Sequence, residues 1–268
     1  MRFPHSILVV FVFGCGSVSD STPDAAVLAD ASIDAPMNSP DAASVNPGMA
    51  LRFDGTDDLA TIAHDASLDF SLGTIEGWVN LTDESSGALA SMWGQGGLAD
   101  KIMLRFLNGE ASALIVRVGV AGQSQVASAV PANQWTHVAT VYDGTNLVLY
   151  INGVEEASVA APGTLPTPVL DLELGVQAIT GAGQTFLSGD VDEVRIWSVV
   201  RSAAEIAANY DKEVSAATNG LVAYYKFNGT GQVVVDSSAS GNNGALGTGP
   251  ADEAADPERV VSLAPLTD

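Results

Sequence analysis

Between residues 49 and 198 the chain is a succession of short runs rich in apolar, aromatic and β-branched residues, each closed by Gly, Asn, Asp or Pro. The runs are 50–54, 75–81, 88–93, 102–107, 113–120, 135–142, 147–151, 172–175 and 191–197, and no helix-period stripe separates them. Asp143-Gly144-Thr145-Asn146 joins two of them. The second ends at Asn152-Gly153, a pair suited to a type I′ hairpin because both central residues must take φ > 0. Many short strands without alternating helices predict an all-β chain: two antiparallel sheets packed face to face as a β-sandwich. One short helix is expected near the C-terminal end, at 203–210. There Ser202 and Glu205 form a capping-box pattern and Ile206 and Tyr210 follow four apart. Segments 220–227 and 233–235 read as finishing strands of the same sandwich.

Charge and cysteine narrow the partners. The 268 residues carry 10 Lys and Arg against 32 Asp and Glu, a formal charge of −22, and no basic track that could neutralise phosphates. No nucleic acid is expected as a partner, whereas cations such as Ca²⁺ are attracted. With Cys15 as the sole cysteine there is no intrachain disulfide and no Cys-based zinc site, so the apolar core must hold the fold. At the N-terminus Arg2 precedes an apolar run at 7–13, too short for the about 20 residues of a membrane span, which reads as an export signal at 1–14.

The segment Val12-Phe13-Gly14-Cys15 resembles the bacterial lipobox. That resemblance implies acylation of Cys15 and attachment to the envelope through the lipid alone. Gly16, rather than Asp, after the cysteine resembles the pattern sorted to the outer membrane. Residues 15–48, rich in Asp, Ala, Ser and Pro and free of Lys and Arg, carry no apolar periodicity and are expected to be a disordered, extended tether. The domain then occupies 49–249, and the acidic, alanine-rich stretch 250–268 is expected to be a flexible tail.

Three motifs in order carry a family resemblance. They are Leu51-Arg52-Phe53-Asp54-Gly55; Trp135-Thr136-His137-Val138-Ala139 leading through Tyr142-Asp143-Gly144 to Leu149-Tyr150-Ile151-Asn152-Gly153; and Gly189-Asp190-Val191-Asp192-Glu193-Val194-Arg195-Ile196-Trp197. Together they resemble the bacterial laminin-G-like jellyroll domains of the concanavalin A-like lectin/glucanase superfamily. The architecture hosts lectins, glycanases, adhesins and spacers, so function has to be read from a site.

Carboxylates give the first candidate site. Strand alternation puts Asp192 on the same side as Val194 and Ile196, facing the core, where a charge is costly unless neutralised. The turn after the first strand gathers Asp54, Asp57 and Asp58. In jellyrolls of the kind this chain resembles, the first and last strands of the domain lie together. A structural Ca²⁺ shared by Asp192, Asp54, Asp58 and Asp57 is therefore expected, with a polar hairpin turn as the alternative. Glucanases on this fold carry a Glu-x-Asp-x-Glu strand. Here Asp190, Asp192 and Val194 hold that period and the third carboxylate is missing, so no enzymatic activity is expected. His64 and His137 sit in no zinc spacing, and 94–97 lacks the Lys-Ser/Thr of a phosphate loop.

Aromatics give the second. Trp78 and Trp93, with Gln95 and Asn108 in adjoining loops, are candidates to bind sugar, and core packing is the competing reading for Trp78. The expectation is a surface-displayed, lipid-anchored binding or adhesion module, for glycan and Ca²⁺-dependent. The alternatives are a glycan-active hydrolase or lyase and a structural envelope protein that binds another surface protein.

Overall fold

The computed structural model describes residues 48–82, 85–94, 100–117, 120–179, 183–249, 251 and 253–267. Cys15, Gln95 and all of the expected signal and tether before residue 48 lie outside them.

In chain order the strands are β1 (Met49–Asp54), β2 (Ala60–Ile62), β3 (Gly73–Leu81), β4 (Gly87–Met92), β5 (Ile102–Leu107), β6 (Glu110–Val116), β7 (Gln123–Ala129), β8 (Thr136–Tyr142) and β9 (Asn146–Ile151). They continue as β10 (Val154–Ala160), β11 (Leu172–Leu174), β12 (Val176–Ile179), β13 (Gly183–Phe186), β14 (Ser188–Trp197), then helix α1 (Ala203–Asn209), β15 (Leu221–Tyr225), β16 (Val233–Val234), β17 (Gly244–Leu246) and β18 (Glu258–Val261). Two eight-stranded antiparallel sheets result. The first runs β10-β9-β8-β3-β14-β1-β18, with β15 also on β14; the second runs β16-β17-β2-β11-β4-β5-β6-β7. A two-stranded hairpin, β12-β13, stands apart.

Local chemistry sets these pairings. Asn152 and Gly153 both take positive φ, as the two-residue turn between β9 and β10 requires. The Asp143 carboxylate accepts the Thr145 and Asn146 amides and so closes the β8–β9 turn. Between the sheets lies one contiguous core, including Leu51, Phe53, Val79, Leu104, Phe106, Leu149, Val191 and Ile196.

The outer face of the first sheet is covered too. Ser202 and Glu205 form the reciprocal capping box of α1, and Ile206 packs onto Ala139, Val141 and Tyr150 of β8 and β9. Burial of Ile206 alone contributes about 1.5–3 kcal/mol.

Two expectations are corrected here. The stretch 250–268 is not free throughout: β18 pairs with β1, Ser262 bonds to Asp192 and Thr267 bonds to Asp211. Val260 and Val261 supply a strand segment that the acidic, alanine-rich composition before it obscures. Second, Asp192 does not face the core. Val191 and Val194, three apart, both reach it, because Glu193 at φ +53° forms a bulge that turns Asp192 and Glu193 to the outer side.

Candidate functional site

At one end of the first sheet, three adjacent strands place polar side chains in a single cross-strand row. Asn80 of β3 stands opposite Asp190 of β14, and Asp190 stands opposite Arg52 of β1. On the next strand Glu258 stands opposite Arg52. The strands approach closely because Gly189 has no side chain. A Cβ there would lie 2.4 Å from the Asn80 carbonyl oxygen, and its φ of +145° disfavours any other residue. The row borders a cleft of about 390 Å³ whose walls include Asp54, Asn133 and Ser188. That volume suits a small molecule or a short oligosaccharide.

Arg52 binds Asp190 through both prongs of its guanidinium, Nε to Oδ1 at 2.8 Å and Nη2 to Oδ2 at 3.1 Å. The Asp190 hydrogen bond and charge, with a further contribution from Glu258, raise the pKa of Arg52 above its ordinary value. The Arg52 side chain is 53% exposed and that of Asp190 15%, so the pair presents polar atoms to the cleft. Neither Asn80 nor Asn133 commits its side-chain amide to a partner among the described residues.

A second trough, of about 560 Å³, adjoins the first through Thr82 and Ser188. Hydroxyls dominate it. Thr82 and Ser188 share a 2.6 Å hydrogen bond, and the Ser188 amide donates to Ser85 Oγ. Thr185 Oγ1 is buried without a hydrogen-bond partner, and Phe186 supplies an apolar surface. Hydroxyls, amides and one aromatic side chain are the groups that bind polyhydroxylated ligands.

The turn from β1 to β2 forms the shared wall of both spaces and carries the acidic cluster. Ligand oxygens of Asp54, Asp57 and Asp58 lie within 4.8 Å of one another. Oxygens 2.3–2.6 Å from one ion can be separated by up to about 5 Å, so the three fit one coordination sphere. The Asp54 amide donates to Asp58 Oδ2 and the Thr56 amide to Asp54 Oδ1, which leaves one oxygen of each carboxylate for an ion. Burial, together with the charges of Asp54, Asp57 and Asp256, raises the pKa of Asp58 even against the Asp54 hydrogen bond. A divalent cation would relieve that repulsion.

The structure brings three of the four expected carboxylates together and separates the fourth. Asp54 is level with Ser188, so Asp192 lies four residues farther along β14, about 13 Å away, under the C-terminal segment. Trp78 is 2% exposed; its indole N–H donates to the Tyr210 carbonyl at 2.9 Å, and the ring packs against His137 and Tyr210. It has no free face for a sugar. Trp93, 9% exposed, packs with Ala88, Met103 and Leu114 on the outer side of the second sheet. Asn108 sits at the exposed β5–β6 turn with φ +51°, a conformation asparagine tolerates. Trp93 and Asn108 belong to the second sheet, away from the row at Asn80, Asp190 and Arg52, whereas Trp78 is two residues from Asn80 on the same face of β3 but is capped by Tyr210.

Sequence reasoning missed Arg52, Asn80 and Asn133, which share no local motif; only strand register reveals the row. It also missed a buried ionic network beneath the helix segment. Arg195 donates to Glu193 at 2.8 Å and lies 3.7 Å from Glu76, which accepts the Trp197 indole N–H; Tyr224 also donates to Glu193. Burial alone would lower the Arg195 pKa; the charges of Glu76, Tyr224 and Glu193 more than reverse it. His137 lies 3.6 Å from Glu76, yet burial, and then the charge of Arg195, push its pKa down to about 3, so it is neutral and forms no ion pair. The side chains of Glu76, His137, Glu193 and Arg195 are 1–3% exposed, beyond reach of a substrate. Asp236 has a structural task as well: it accepts from the amides of Tyr224, Ser238 and Asn242 and shapes the loop before β17.

Two antiparallel sheets face to face, with a polar corner cleft, define a lectin-type β-sandwich. The family model described as the concanavalin A-like lectin/glucanases superfamily, of laminin-G type, matches residues 54–207, more than half of the chain, and the chain belongs to that superfamily. No curated protein matches at the sequence level. Among solved structures, a Bacteroides ovatus protein provisionally designated carbohydrate-binding superposes with a TM-score of 0.64 at 22% identity, over 82% of this chain. This chain spans 62% of that protein's length, and the likeness is one of fold. Fainter likenesses are to the SAP-like pentraxin of Limulus polyphemus (TM-score 0.49, 13% identity, 75% of this chain and 95% of that one) and to the CBM40 of the Ruminococcus gnavus IT-sialidase bound to α2,3-sialyllactose. The latter has a TM-score of 0.47 and 17% identity over 59% of this chain and 96% of the module.

Proposed function

We propose that the chain is a glycan-binding module that works without catalysis, with its ligand in the corner cleft and Ca²⁺ in the adjoining turn. The observation that carries the reading is the row Asn80–Asp190–Arg52 beside a hydroxyl-lined trough on a lectin-type sandwich. The Bacteroides ovatus protein, designated for carbohydrate binding on the same fold, supports it. Asp54, Asp57 and Asp58 hold the cation in this proposal, and because Asp54 and Thr56 also line the two spaces, the ion rigidifies their wall. Acylation of Cys15 and the 15–48 tether would hold the module on the outer membrane; mass spectrometry of the mature N-terminus tests that part.

A glycan array probed in 1 mM Ca²⁺ and then in EDTA tests the function. Calcium-sensitive binding without turnover is the expected result. Release of cleaved product would instead establish a hydrolase or lyase, and silence across the array would leave a protein ligand as the reading.

A further inference from the structure

We infer that the cleft selects uncharged glycans and rejects acid-bearing ones; this rests on the glycan-binding reading above. The argument is one of charge at the cleft walls. A carboxylated or sulfated sugar needs a cation whose charge is not already neutralised, and among the described residues the cation lining this cleft is Arg52. Asp190 takes two of the five Arg52 N–H donors and neutralises the guanidinium charge, and Glu258 faces Arg52 from the other neighbouring strand. An acidic ligand that reached the remaining Nη donors would meet a guanidinium already flanked by the Asp190 and Glu258 carboxylates, and so would gain little attraction and meet repulsion from both.

The surroundings deepen the effect. Asp54 contributes another carboxylate to the same wall. With a divalent cation bound by Asp54, Asp57 and Asp58, that turn still carries one net negative charge. The chain as a whole is at −22, so the long-range field also repels anions.

What the cleft does offer matches neutral hydroxyls. Each Asp190 oxygen takes one bond from Arg52 and has remaining capacity to accept a sugar O–H. The Asn80 and Asn133 amides are uncommitted donors and acceptors, and Thr185 Oγ1 is a buried hydroxyl without a partner in the adjoining trough. Asn80 and Arg52 are two strand spacings apart, about 10 Å, so the row spans somewhat more than one sugar ring.

The test uses the full chain against matched oligosaccharides: lactose-type chains with and without terminal sialic acid, and neutral glucans and mannans against polyuronates. Neutral members should bind at least tenfold more tightly than their acidic counterparts, with the gap narrowing as salt rises from 20 to 500 mM. Asp190→Asn, which removes the competing carboxylate and frees Arg52, should weaken neutral binding at least tenfold and shrink the discrimination below threefold. If that variant does not fold, the pair Asn80→Ala and Asn133→Ala should weaken neutral binding without restoring the acidic ligands.

Sialylated or uronate glycans binding as tightly as neutral ones would overturn the selectivity and leave glycan binding intact. Discrimination unchanged in Asp190→Asn would also overturn it. Absence of binding to every glycan would defeat the functional reading itself, and the selectivity with it.

Discussion

Replacing Asp192 with asparagine should make the protein more stable at alkaline pH. Asp192 is 2% exposed; its Oδ1 accepts the Glu193 amide and its Oδ2 accepts the Ser262 hydroxyl. Burial nevertheless pushes its pKa up to about 7 from an ordinary 3.8, with the charge of Glu193 adding to the rise. A folded-state pKa above the unfolded one means that the native state binds the proton more tightly. Native stability therefore falls as pH rises from about 4 to about 7. The shift is about three units at about 1.4 kcal/mol each, so the ionised group costs up to about 4 kcal/mol above pH 7.

The asparagine side chain keeps an acceptor for the Glu193 amide and can donate to Ser262, so the packing survives. Urea denaturation in EDTA should give the Asp192→Asn variant a gain of about 2–4 kcal/mol at pH 8, falling to about 1.5 kcal/mol or less at pH 5. The lower pH stays clear of the isoelectric point near 4.1. A variant less stable than wild type at pH 8, or a difference independent of pH, would refute the burial argument. The same variant tests the metal assignment: its Ca²⁺ response should match that of the wild type, since Asp192 lies outside the acidic turn.

Calcium at 1 mM should raise the melting temperature, by about 5–10 °C if that concentration is a hundredfold above Kd, and Asp58→Asn should remove most of the rise. An unchanged melting temperature in Ca²⁺ and in chelator would eliminate the ion. Arg195→Met should cost about 3–5 kcal/mol in urea titrations, because it leaves Glu76 and Glu193 buried without their cation; a loss under 1 kcal/mol would mean the network is dispensable. Gly189→Ala should cost more than about 2 kcal/mol, by forcing β3 and β14 apart at Asn80, and should abolish glycan binding; wild-type stability and binding would contradict the close-approach argument.

The central strands were legible because apolar residues there recur at strand period and end at turn residues: β5 matches its predicted run at both ends, and β3, β8 and β9 begin only one or two residues from the predicted starts. The overlooked strands β7 and β10 are the outer strands of their sheets. Gln-Ser-Gln-Val-Ala-Ser-Ala and Val-Glu-Glu-Ala-Ser-Val-Ala face solvent and carry little apolar signal, as edge strands do. The acidic turn was visible because its aspartates are neighbours in sequence. Asp192 was misplaced because strict alternation has no means of anticipating a bulge one residue later. Trp78 was misjudged because its cover, the Tyr210 carbonyl, comes from 132 residues downstream. The row of Asn80, Asp190 and Arg52 depends wholly on long-range register, which no local pattern encodes.

Chemical-shift mapping on isotope-labelled protein, titrated with the tightest-binding array glycan, tests the location of binding most directly. Perturbations should centre on Arg52, Asn80, Asn133, Thr185 and Asp190. Perturbations centred on Met103, Leu114 and Glu173, on the outer side of the second sheet, would place the ligand elsewhere and contradict the account.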